Sequence, residues 1–584
     1  MTRSFPSRPA ARRMLALVTC TLIALPGLGA TISVQAATTL DAGAVAAPDR
    51  YGAQTAAAVL RAGGNAVDAA IATAFTLAVS YPEAGNIGGG GFMTVYFEGE
   101  PYFLDYREIA PSSASRDMYL DQDGEVIENK SLIGYHASGV PGTVMGMWEA
   151  HQRFGSLPWA ELVRPAIALA RDGIEPAERA NQYSEDETEK FRGRTNFHDY
   201  FSGLDEEGPF RQPELAATLE RIATQGADDF YRGETAQLIV AEMARGGGNI
   251  GLDDLAGYRA HWREPIALEW RGATVYAPTP PSSGGIGLAQ LLTMKERLGG
   301  LFQGVALNSA QYVHLISEIE KRVFADRADY LGDPDFSAVP TAQLVDRDYL
   351  DRRAGEVRPR TISPTEEVQP GLEHFQTTHY SIVDRFGNAA SNTYTLNFSF
   401  GSGVVVTGAG FLLNNEMDDF SARAGVPNAF GVVGGDANAI APGKRMLSSM
   451  TPTIVTRDGQ VELVIGTPGG SRIFTSIFQA MNNLYDYDLP LDQALAAPRF
   501  HHQLLPKDLI YTDPAAPLDA DTVAELERRG YRVEPQGWRM GDLQAIQVES
   551  GSPIAVSDPR GRGVALRVEA EQHVSPAEPA PAEL

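Results

Sequence analysis

A pair of threonines follows a glutamine at Gln376-Thr377-Thr378, and this segment could carry nucleophilic chemistry. A threonine hydroxyl is a poor nucleophile until a base takes its proton. If the chain were cut before Thr377, the freed α-amine would lie within reach of the hydroxyl of the same residue. An α-amine has an ordinary pKa of about 7.7–8.0, close to the pH at which a general base must work. On spacing alone, however, the start of an ordinary β-strand with two threonines is the simpler interpretation.

The chain on either side of Thr377 fits a cleavage site. Residues 355–376 are polar, contain three prolines and show little periodicity, and so predict an exposed linker. After the linker, residues 377–384 and 389–396 alternate as two β-strands do around a short turn. A flexible linker that ends at the start of a strand suits self-processing.

Strands and helices are predicted along the whole chain. Asn65 is placed to cap a helix, and residues 453–456 and 461–465 predict a second hairpin. Two packed sheets covered by helices would bury this alternation, which predicts an α+β fold. The predicted helices cover residues 55–62, 66–80, 143–173, 213–245, 307–331, 473–485 and 519–529, and the remaining predicted strands cover 92–97 and 102–106.

The composition excludes several classes of protein. Of the 584 residues, 43% are hydrophobic, which is enough for a packed core, so wholesale disorder is excluded. The 74 Asp and Glu against 48 Lys and Arg give a net charge of −26, and such an acidic surface would repel phosphate backbones. No nucleic acid is therefore expected as a partner.

Residues 1–36 predict an export signal peptide. Four arginines without an acid precede an apolar run at 14–34, and Val34-Gln35-Ala36 offers small residues where a signal peptidase reads them. A proline and two glycines within the run argue against the alternative, a lone membrane anchor. We expect a bacterial periplasmic or secreted protein without a membrane segment once the signal is removed, by either the Sec or the twin-arginine route. The single cysteine, Cys20, lies in the signal, so the mature chain can form no disulfide or cysteine-ligated metal site.

Six motifs occur in order along the chain, and together they resemble those of the γ-glutamyltransferases (glutathione hydrolases), a family of N-terminal-nucleophile hydrolases. The resemblance covers residues 51 to about 560. The motifs are PEAGNIGGGGFM at 82–93, DYRE at 105–108, TTHYS at 377–381, LNNEMDDF at 413–420, LSSMTP at 447–452 and TPGGSR at 467–472. A chance match of all six in this order is not credible.

The resemblance implies a fold and a processing step. The fold is a four-layer αββα sandwich of the N-terminal-nucleophile hydrolase type, built from two subunits of one precursor. Cleavage between Gln376 and Thr377 leaves a large subunit, 37–376, and a small subunit of 208 residues, 377–584, which pair as a heterodimer. Residues 576–584 form a Pro/Ala/Glu tail that need not fold.

The resemblance also assigns the catalytic residues. Thr377 matches the nucleophile of both self-cleavage and catalysis, and Thr395 matches a second threonine whose hydroxyl orients the first. Gly469 and Gly470 match the backbone N–H pair that stabilises the tetrahedral oxyanion, a role that suits glycine because the backbone must approach closely. Without the resemblance, Thr395 is an ordinary strand residue and the two glycines belong to an ordinary turn. No cofactor is implied.

A γ-glutamyl group carries an α-carboxylate and an α-ammonium, and the resemblance assigns residues to each. Arg107 matches the carboxylate clamp, and Ser448 and Ser449 match the hydroxyls that complete it. In an extended segment Asp418 and Asp419 point to opposite faces, so only Asp419 is assigned to the pocket. The residues that match the surroundings of the ammonium are Asn397, Glu416 and Asp419.

Four further features have their own interpretations. Taken alone, Arg107 next to two acids is interpreted as a surface ion pair. The glycine run at 88–91 lacks the spacing of a phosphate-binding loop, and close packing near the substrate explains it better. His501 and His502 are interpreted as structural, because adjacent strand positions cannot both face one ion, and no metal is expected. Residues 425–436 match a lid loop of bacterial relatives, with Phe430 where many of them carry tyrosine.

The expected reaction is ping-pong. Thr377 attacks the γ-amide of glutathione or a related γ-glutamyl compound, and water, an amino acid or a dipeptide resolves the γ-glutamyl-enzyme. One alternative is a glutaryl-type cephalosporin acylase on the same scaffold. A glutaryl chain lacks the α-ammonium, so Asp419 would face an unpaired pocket, which argues for γ-glutamyl substrates. The other alternative, an uncleaved binding protein, is disfavoured by the intact Thr377, Thr395 and Gly469-Gly470.

Overall fold

The computed structural model of the chain describes residues 39–175, 188–205, 208–365, 377–421, 435–537 and 539–569. Across this part of the chain, every helix is too short or too polar to span a lipid bilayer. The predicted export signal at 1–36, Gln376, Phe430 and the tail at 576–584 lie outside the described residues, as does most of the lid predicted at 425–436.

Strands and helices alternate along the described chain. The strands are β1 (Gly43–Ala47), β2 (Gly90–Phe97), β3 (Glu100–Tyr106), β4 (His261–Arg263), β5 (Ile266–Trp270), β6 (Ala273–Ala277), β7 (Thr378–Val383), β8 (Ala389–Thr395), β9 (Thr453–Arg457), β10 (Gln460–Gly466), β11 (Phe500–His501), β12 (Leu509–Thr512), β13 (Arg532–Pro535), β14 (Gln544–Glu549), β15 (Ser552–Ser557) and β16 (Val564–Val568). The helices are α1 (Arg50–Arg61), α2 (Ala66–Ser80), α3 (Thr143–Phe154), α4 (Trp159–Asp172), α5 (Phe197–Phe201), α6 (Pro213–Gln225), α7 (Ala227–Arg232), α8 (Glu234–Gly246), α9 (Leu252–Gly257), α10 (Gly284–Arg297), α11 (Gly299–Phe302), α12 (Ala310–Tyr330), α13 (Thr341–Leu344), α14 (Arg347–Gly355), α15 (Arg472–Asp486), α16 (Leu491–Ala496) and α17 (Ala520–Arg529).

Two sheets organise the described residues. The first has seven strands in the order β16-β1-β7-β8-β2-β3-β4, and the second has six in the order β15-β14-β10-β9-β6-β5. Neighbouring strands are antiparallel throughout both sheets. A short third sheet, β11-β12-β13, lies outside them.

Apolar side chains cover both faces of the first sheet. In β1, Val45 packs against the helices on one face, whereas Ala46 packs with Ile454 and Val464 of the second sheet on the other. This is the alternation that a strand with two buried faces requires. Helices α10, α12 and α15 share a further apolar cluster with β6, β9 and β10 of the second sheet. The mixed α+β fold predicted from the sequence is confirmed.

The predicted elements are mostly right, and the linker is partly wrong. Asn65 caps α2 through a capping box with Asp68, as its position predicted. The supposedly exposed linker is anchored at Ser363, which is buried. Its backbone N–H donates to Glu318 Oε1 at 2.9 Å, and its carbonyl accepts from Lys321 Nζ at 2.9 Å. Charged side chains on the buried helix α12 therefore bind the chain shortly before residue 366.

The glycine run at 88–91 allows three strands to pack closely. β2 lies between β8 and β3, and Gly90 pairs with Thr395 of β8. A Cβ at Gly89 would overlap the carbonyl oxygen of Thr395, and a Cβ at Gly90 would lie 2.5 Å from the carbonyl oxygen of Tyr106. Close packing, rather than phosphate binding, is therefore what these glycines provide.

Substituting Gly89 tests this packing. We expect Gly89→Ala to lower the free energy of unfolding by about 1–3 kcal/mol or more, because overpacking a rigid backbone contact costs that much. Gly300→Ala is the matched control, since a Cβ there meets no atom within 4 Å and the residue lies in α11. Thermal unfolding of both variants measures the difference. Equal unfolding temperatures for the two would contradict the packing argument.

Candidate active site

Thr377 lies immediately before β7 and contacts Thr395, the last residue of β8. Their hydroxyl oxygens are 3.5 Å apart, and Thr377 is 5% exposed. The Thr395 hydroxyl also accepts a hydrogen bond of 2.7 Å from the backbone N–H of Asn397. The antiparallel pairing of β7 with β8 holds the two residues together, since Thr378 is opposite Tyr394. The structure thus brings the two predicted threonines side by side.

The turn after β10 presents two backbone N–H groups. Gly469 and Gly470 have φ of +133° and +62°, a region that favours glycine, and α15 begins two residues later. Within the described chain, neither of their N–H groups donates to a protein acceptor. Free N–H groups at the start of a helix favour an anion. A Cβ at Gly466 would overlap the ring of His379, so the end of β10 lies next to the start of β7.

His379, two residues after Thr377, is fully buried between the sheets. The Ser381 hydroxyl donates to the backbone carbonyl of Gln544 at 3.0 Å, so its oxygen accepts from His379 Nε2, also at 3.0 Å. His379 Nδ1 then accepts from the Thr393 hydroxyl at 2.7 Å. Burial lowers the pKa of His379 to about 3, so the ring is neutral and these bonds assign its proton to Nε2.

Arg107 follows β3 directly and is 1% exposed. Its guanidinium binds Asp419 and lies 2.6 Å from Glu416 Oε2, with Glu108 at 3.4 Å. The interpretation of Arg107 as a surface ion pair is therefore wrong, because a buried guanidinium needs carboxylates around it. The Oδ2 atom of its neighbour Asp105 instead pairs with two other arginines, at 2.8 and 3.3 Å. We call Arg107, Glu108, Glu416 and Asp419 the Arg107 cluster.

The carboxylates of this cluster come from a short 3₁₀ helix, Glu416–Asp419, and not from the extended segment that the sequence predicted. The tighter turn still separates the two aspartates, because Asp418 accepts a hydrogen bond from Ser131 while Asp419 binds Arg107. Asp419 therefore reaches Arg107 through a different geometry, and its assignment to the substrate pocket stays a prediction. Burial raises the pKa of Glu416 and Asp419, and the charge of Arg107 partly offsets this rise.

Asn397 links the threonines to the Arg107 cluster. It has φ of +80°, and its Nδ2 donates to the carbonyl of Asn415, next to Glu416, at 3.0 Å. Its Oδ1 is buried and has no hydrogen-bond partner among the described residues. An unpaired buried amide oxygen is an acceptor for a ligand N–H group.

The hydroxyl oxygens of Ser448 and Ser449 each accept a hydrogen bond from within the protein, which orients their protons. The Ser448 oxygen accepts from the Met450 N–H at 3.2 Å, and the Ser449 oxygen accepts from Arg327 at 3.2 Å. Arg107 donates to the carbonyl oxygens of Met446 and Leu447, just before these serines, at 3.3 and 3.5 Å. The serines and Arg107 therefore form a set of donors suited to a carboxylate.

His501 and His502 are both buried and bind different partners. His501 contacts Thr475 and Gln503, whereas His502 Nδ1 donates to the carbonyl of Leu509 at 2.6 Å. Among the residues that the structure describes, no group of three or more His, Cys, Asp or Glu is arranged to hold a metal ion.

Eight of the ten predicted site residues besides Gln376 are tied by these contacts, directly or through a neighbouring residue, to one of two groups, and only Gly469 and Gly470 are not. Thr377, Thr395 and Asn397 form the first; the Arg107 cluster with the serines forms the second. The sequence did not predict the hydrogen bonds of His379, although the residue belongs to the TTHYS motif. It also missed Arg327, which donates to the Ser449 oxygen, and Ser283, whose hydroxyl oxygen accepts from Arg327 Nε at 3.0 Å. No local pattern marks them, since an arginine in a helix is ordinarily interpreted as a solvated charge.

The buried neutral His379 predicts a loss of stability in acid. The folded pKa of about 3 lies below the ordinary 6.5, so the folded protein binds fewer protons and stability falls as pH falls from 6.5 towards 3. Between pH 6.5 and 4.5 this histidine should cost about 2 kcal/mol. His379→Gln should flatten the dependence by that amount in urea unfolding at the two pH values. Because the variant also loses hydrogen bonds, the slope is the readout, and identical slopes would refute the prediction.

Comparison with known proteins identifies the family of this chain. Residues 52–568 match the gamma-glutamyltranspeptidase family. A glutathione hydrolase proenzyme of Pseudomonas aeruginosa is 65% identical over 541 residues, which are 93% of this chain and 97% of the relative. The solved gamma-glutamyltranspeptidase from Pseudomonas nitroreducens complexed with L-DON is 64% identical, with a TM-score of 0.56 over 57% of this chain and 99% of that one. The cephalosporin acylase from Bacillus halodurans is 27% identical, with a TM-score of 0.76 over 91% of this chain and 96% of that one. The resemblance inferred from the six motifs is confirmed, and the chain belongs to the γ-glutamyltranspeptidase family.

Proposed function

We propose that this chain is a glutathione hydrolase that cleaves itself between Gln376 and Thr377 and then uses Thr377 as its nucleophile. The observation that carries the proposal is the contact of the Thr377 and Thr395 hydroxyls at the start of β7. The end of β10 lies next to His379 of β7, and in the turn that follows it two N–H groups donate to no acceptor within the described residues. The name of the Pseudomonas aeruginosa relative, a glutathione hydrolase proenzyme, supports both the activity and the processing.

The sheet arrangement supports an αββα sandwich of the N-terminal-nucleophile hydrolase type. An apolar cluster joins the two sheets, and helices contribute to separate clusters with each of them. In such a fold the nucleophile begins a central strand, and Thr377 precedes β7, which has neighbours on both sides.

Self-cleavage would use the same hydroxyl as catalysis. In the uncleaved chain the nitrogen of Thr377 is an amide, so the Thr377 hydroxyl attacks the carbonyl carbon of Gln376 and the peptide C–N bond breaks to leave an ester. The nitrogen takes up the proton of the hydroxyl and becomes the free α-amine. Water then hydrolyses the ester, which restores the hydroxyl and releases the carboxylate of Gln376.

In the mature enzyme, the α-amine of Thr377 takes the proton of its own hydroxyl, and the oxygen attacks the γ-carbonyl of the donor. The N–H groups of Gly469 and Gly470 stabilise the oxyanion of the tetrahedral intermediate, and a lost donor of this kind costs about 10²–10³ in turnover. The C–N bond of the γ-amide then breaks, and the proton passes to the leaving amine. Water, or the amine of an amino acid or dipeptide, resolves the γ-glutamyl-enzyme.

The Arg107 cluster supports binding of a zwitterionic γ-glutamyl group. In the described structure Arg107 is paired with Glu416 and Asp419. A substrate that brings a carboxylate to Arg107, Ser448 and Ser449, and an ammonium to Glu416, Asp419 and Asn397, replaces each ion pair with another one. No charge is left unpaired in the buried site.

The two fragments should stay together as a heterodimer. In the first sheet, β1 from the proposed large subunit lies between β7 and β16 of the small subunit, and β8 of the small subunit pairs with β2. These backbone ladders cross between the fragments and persist after cleavage. Export to the bacterial periplasm or medium, with removal of residues 1–36, is part of the same proposal and rests on the sequence pattern.

Replacing Thr377 tests the nucleophile. Thr377→Ala should remain a single chain on a denaturing gel, because no hydroxyl attacks Gln376, and it should lack γ-glutamyl hydrolysis. Thr378→Ala is the matched control, since the Thr378 hydroxyl makes no hydrogen bond among the described residues. The control should split into two fragments, with threonine as the first residue of the smaller one. Cleavage of Thr377→Ala at the same bond would falsify the assignment.

The choice of donor tests the substrate class. The wild type should hydrolyse γ-glutamyl anilide at least 100-fold faster than glutaryl anilide, because the glutaryl group brings no ammonium to Asp419. Asp419→Asn should reduce this ratio at least tenfold, whereas Asp418→Asn, whose side chain binds Ser131, should leave it unchanged. Faster turnover of the glutaryl donor by the wild type would favour the acylase alternative.

A further inference from the structure

A second buried arginine lies behind the serines of the proposed carboxylate site. Arg327, near the end of α12, is 7% exposed. Its Nε donates to the Ser283 hydroxyl oxygen at 3.0 Å, and another guanidinium nitrogen donates to the Ser449 hydroxyl oxygen at 3.2 Å. One rigid fork thus binds two hydroxyls, a geometry that lysine cannot reproduce.

The proton of each hydroxyl can be followed through these contacts. The Ser283 hydroxyl donates to the carbonyl oxygen of Ser448 at 2.8 Å, so its oxygen is left to accept from Arg327. The Ser449 oxygen accepts from Arg327 and lies 3.2 Å from the Ser283 oxygen. Since the Ser283 proton is already bound, the proton between these two oxygens belongs to Ser449. The contact of the Ser449 hydroxyl with the Ser283 oxygen is long, so a stronger acceptor, such as a carboxylate, would replace it.

We propose that Arg327, with Ser283, is the positioning residue of the α-carboxylate site: it donates a hydrogen bond to the Ser449 oxygen and so orients the Ser449 hydroxyl to donate its proton to the substrate carboxylate. This inference rests on the proposed function of the site. Arg327 does not touch the substrate and takes no part in bond breaking. Its positive charge also favours the ionised form of Asp419, which lowers the pKa of that carboxyl against the rise caused by burial. The Arg327 side chain thereby supports both Ser449, which donates to the substrate carboxylate, and Asp419, which accepts from the substrate ammonium.

The experiment compares Arg327→Met and Arg327→Lys with the wild type, using γ-glutamyl anilide as donor and L-glutamate as competitive inhibitor. Arg327→Met should raise the KM and the inhibition constant of L-glutamate together, by roughly 10- to 100-fold, the loss expected for a charged hydrogen bond. The kcat should stay within about threefold, and self-cleavage should be complete. The KM and the inhibition constant of Arg327→Lys should lie between those of the wild type and those of Arg327→Met.

Arg322→Lys is the matched control. Arg322 is also buried on α12, but it binds Glu318 and Ser363, so its replacement should change stability and not the KM. An unchanged KM in both Arg327 variants would overturn the inference, as would an equal rise in Arg322→Lys. If Arg327→Met fails to fold, Arg327→Lys decides. A wild type that does not hydrolyse the γ-glutamyl donor would defeat the proposed function, an outcome separate from failure of the Arg327 inference.

Discussion

The site depends on burying one guanidinium. Arg107 lies at the end of β3, almost without solvent contact, and such a charge is tolerated only where carboxylates surround it. Glu108 comes from the same segment, whereas Glu416 and Asp419 come from a 3₁₀ helix more than 300 residues later. The pairing therefore joins two distant parts of the chain at one point. At this point a ligand that carries both charges could replace the ion pairs of Arg107 with its own.

The interleaving of strands explains how a chain can be cut at its active site and keep its geometry. β7 and β8, which position the two threonines, lie between β1 and β2 from the other side of the proposed cleavage point. The hydrogen bonds of both ladders are unaffected by scission before Thr377. Upstream of the proposed cut, Glu318 and Lys321 bind the backbone of Ser363 and tie that part of the chain to α12.

Sequence reasoning reached the elements and the motif residues, and it failed where tertiary contacts decide. The helix cap at Asn65 and the β7–β8 hairpin follow from local propensity, which needs no partner. The 3₁₀ turn at Glu416–Asp419 does not follow from local propensity. Its carboxylates bind the buried Arg107, and no local sequence pattern shows this contact. The same holds for Ser363, whose backbone binds charged side chains 42 and 45 residues earlier in the chain. It holds as well for Arg327, whose proposed role depends on a distant serine.

Charge balance gives the strongest reason to prefer an amino-acid head group in this pocket. Arg107 pairs with the three carboxylates of the Arg107 cluster, and the charge of Arg327 acts on one of them, Asp419. Burial already raises the pKa of each of those acids. A γ-glutamyl head is a zwitterion and adds no net charge. A glutaryl head that presented its carboxylate would add a negative charge to a site in which carboxylates already outnumber arginines. A glutaryl head that presented no charge would bring no new partner to Arg107. We therefore expect discrimination to come from the cluster as a whole, because its charges must remain paired when the ligand enters.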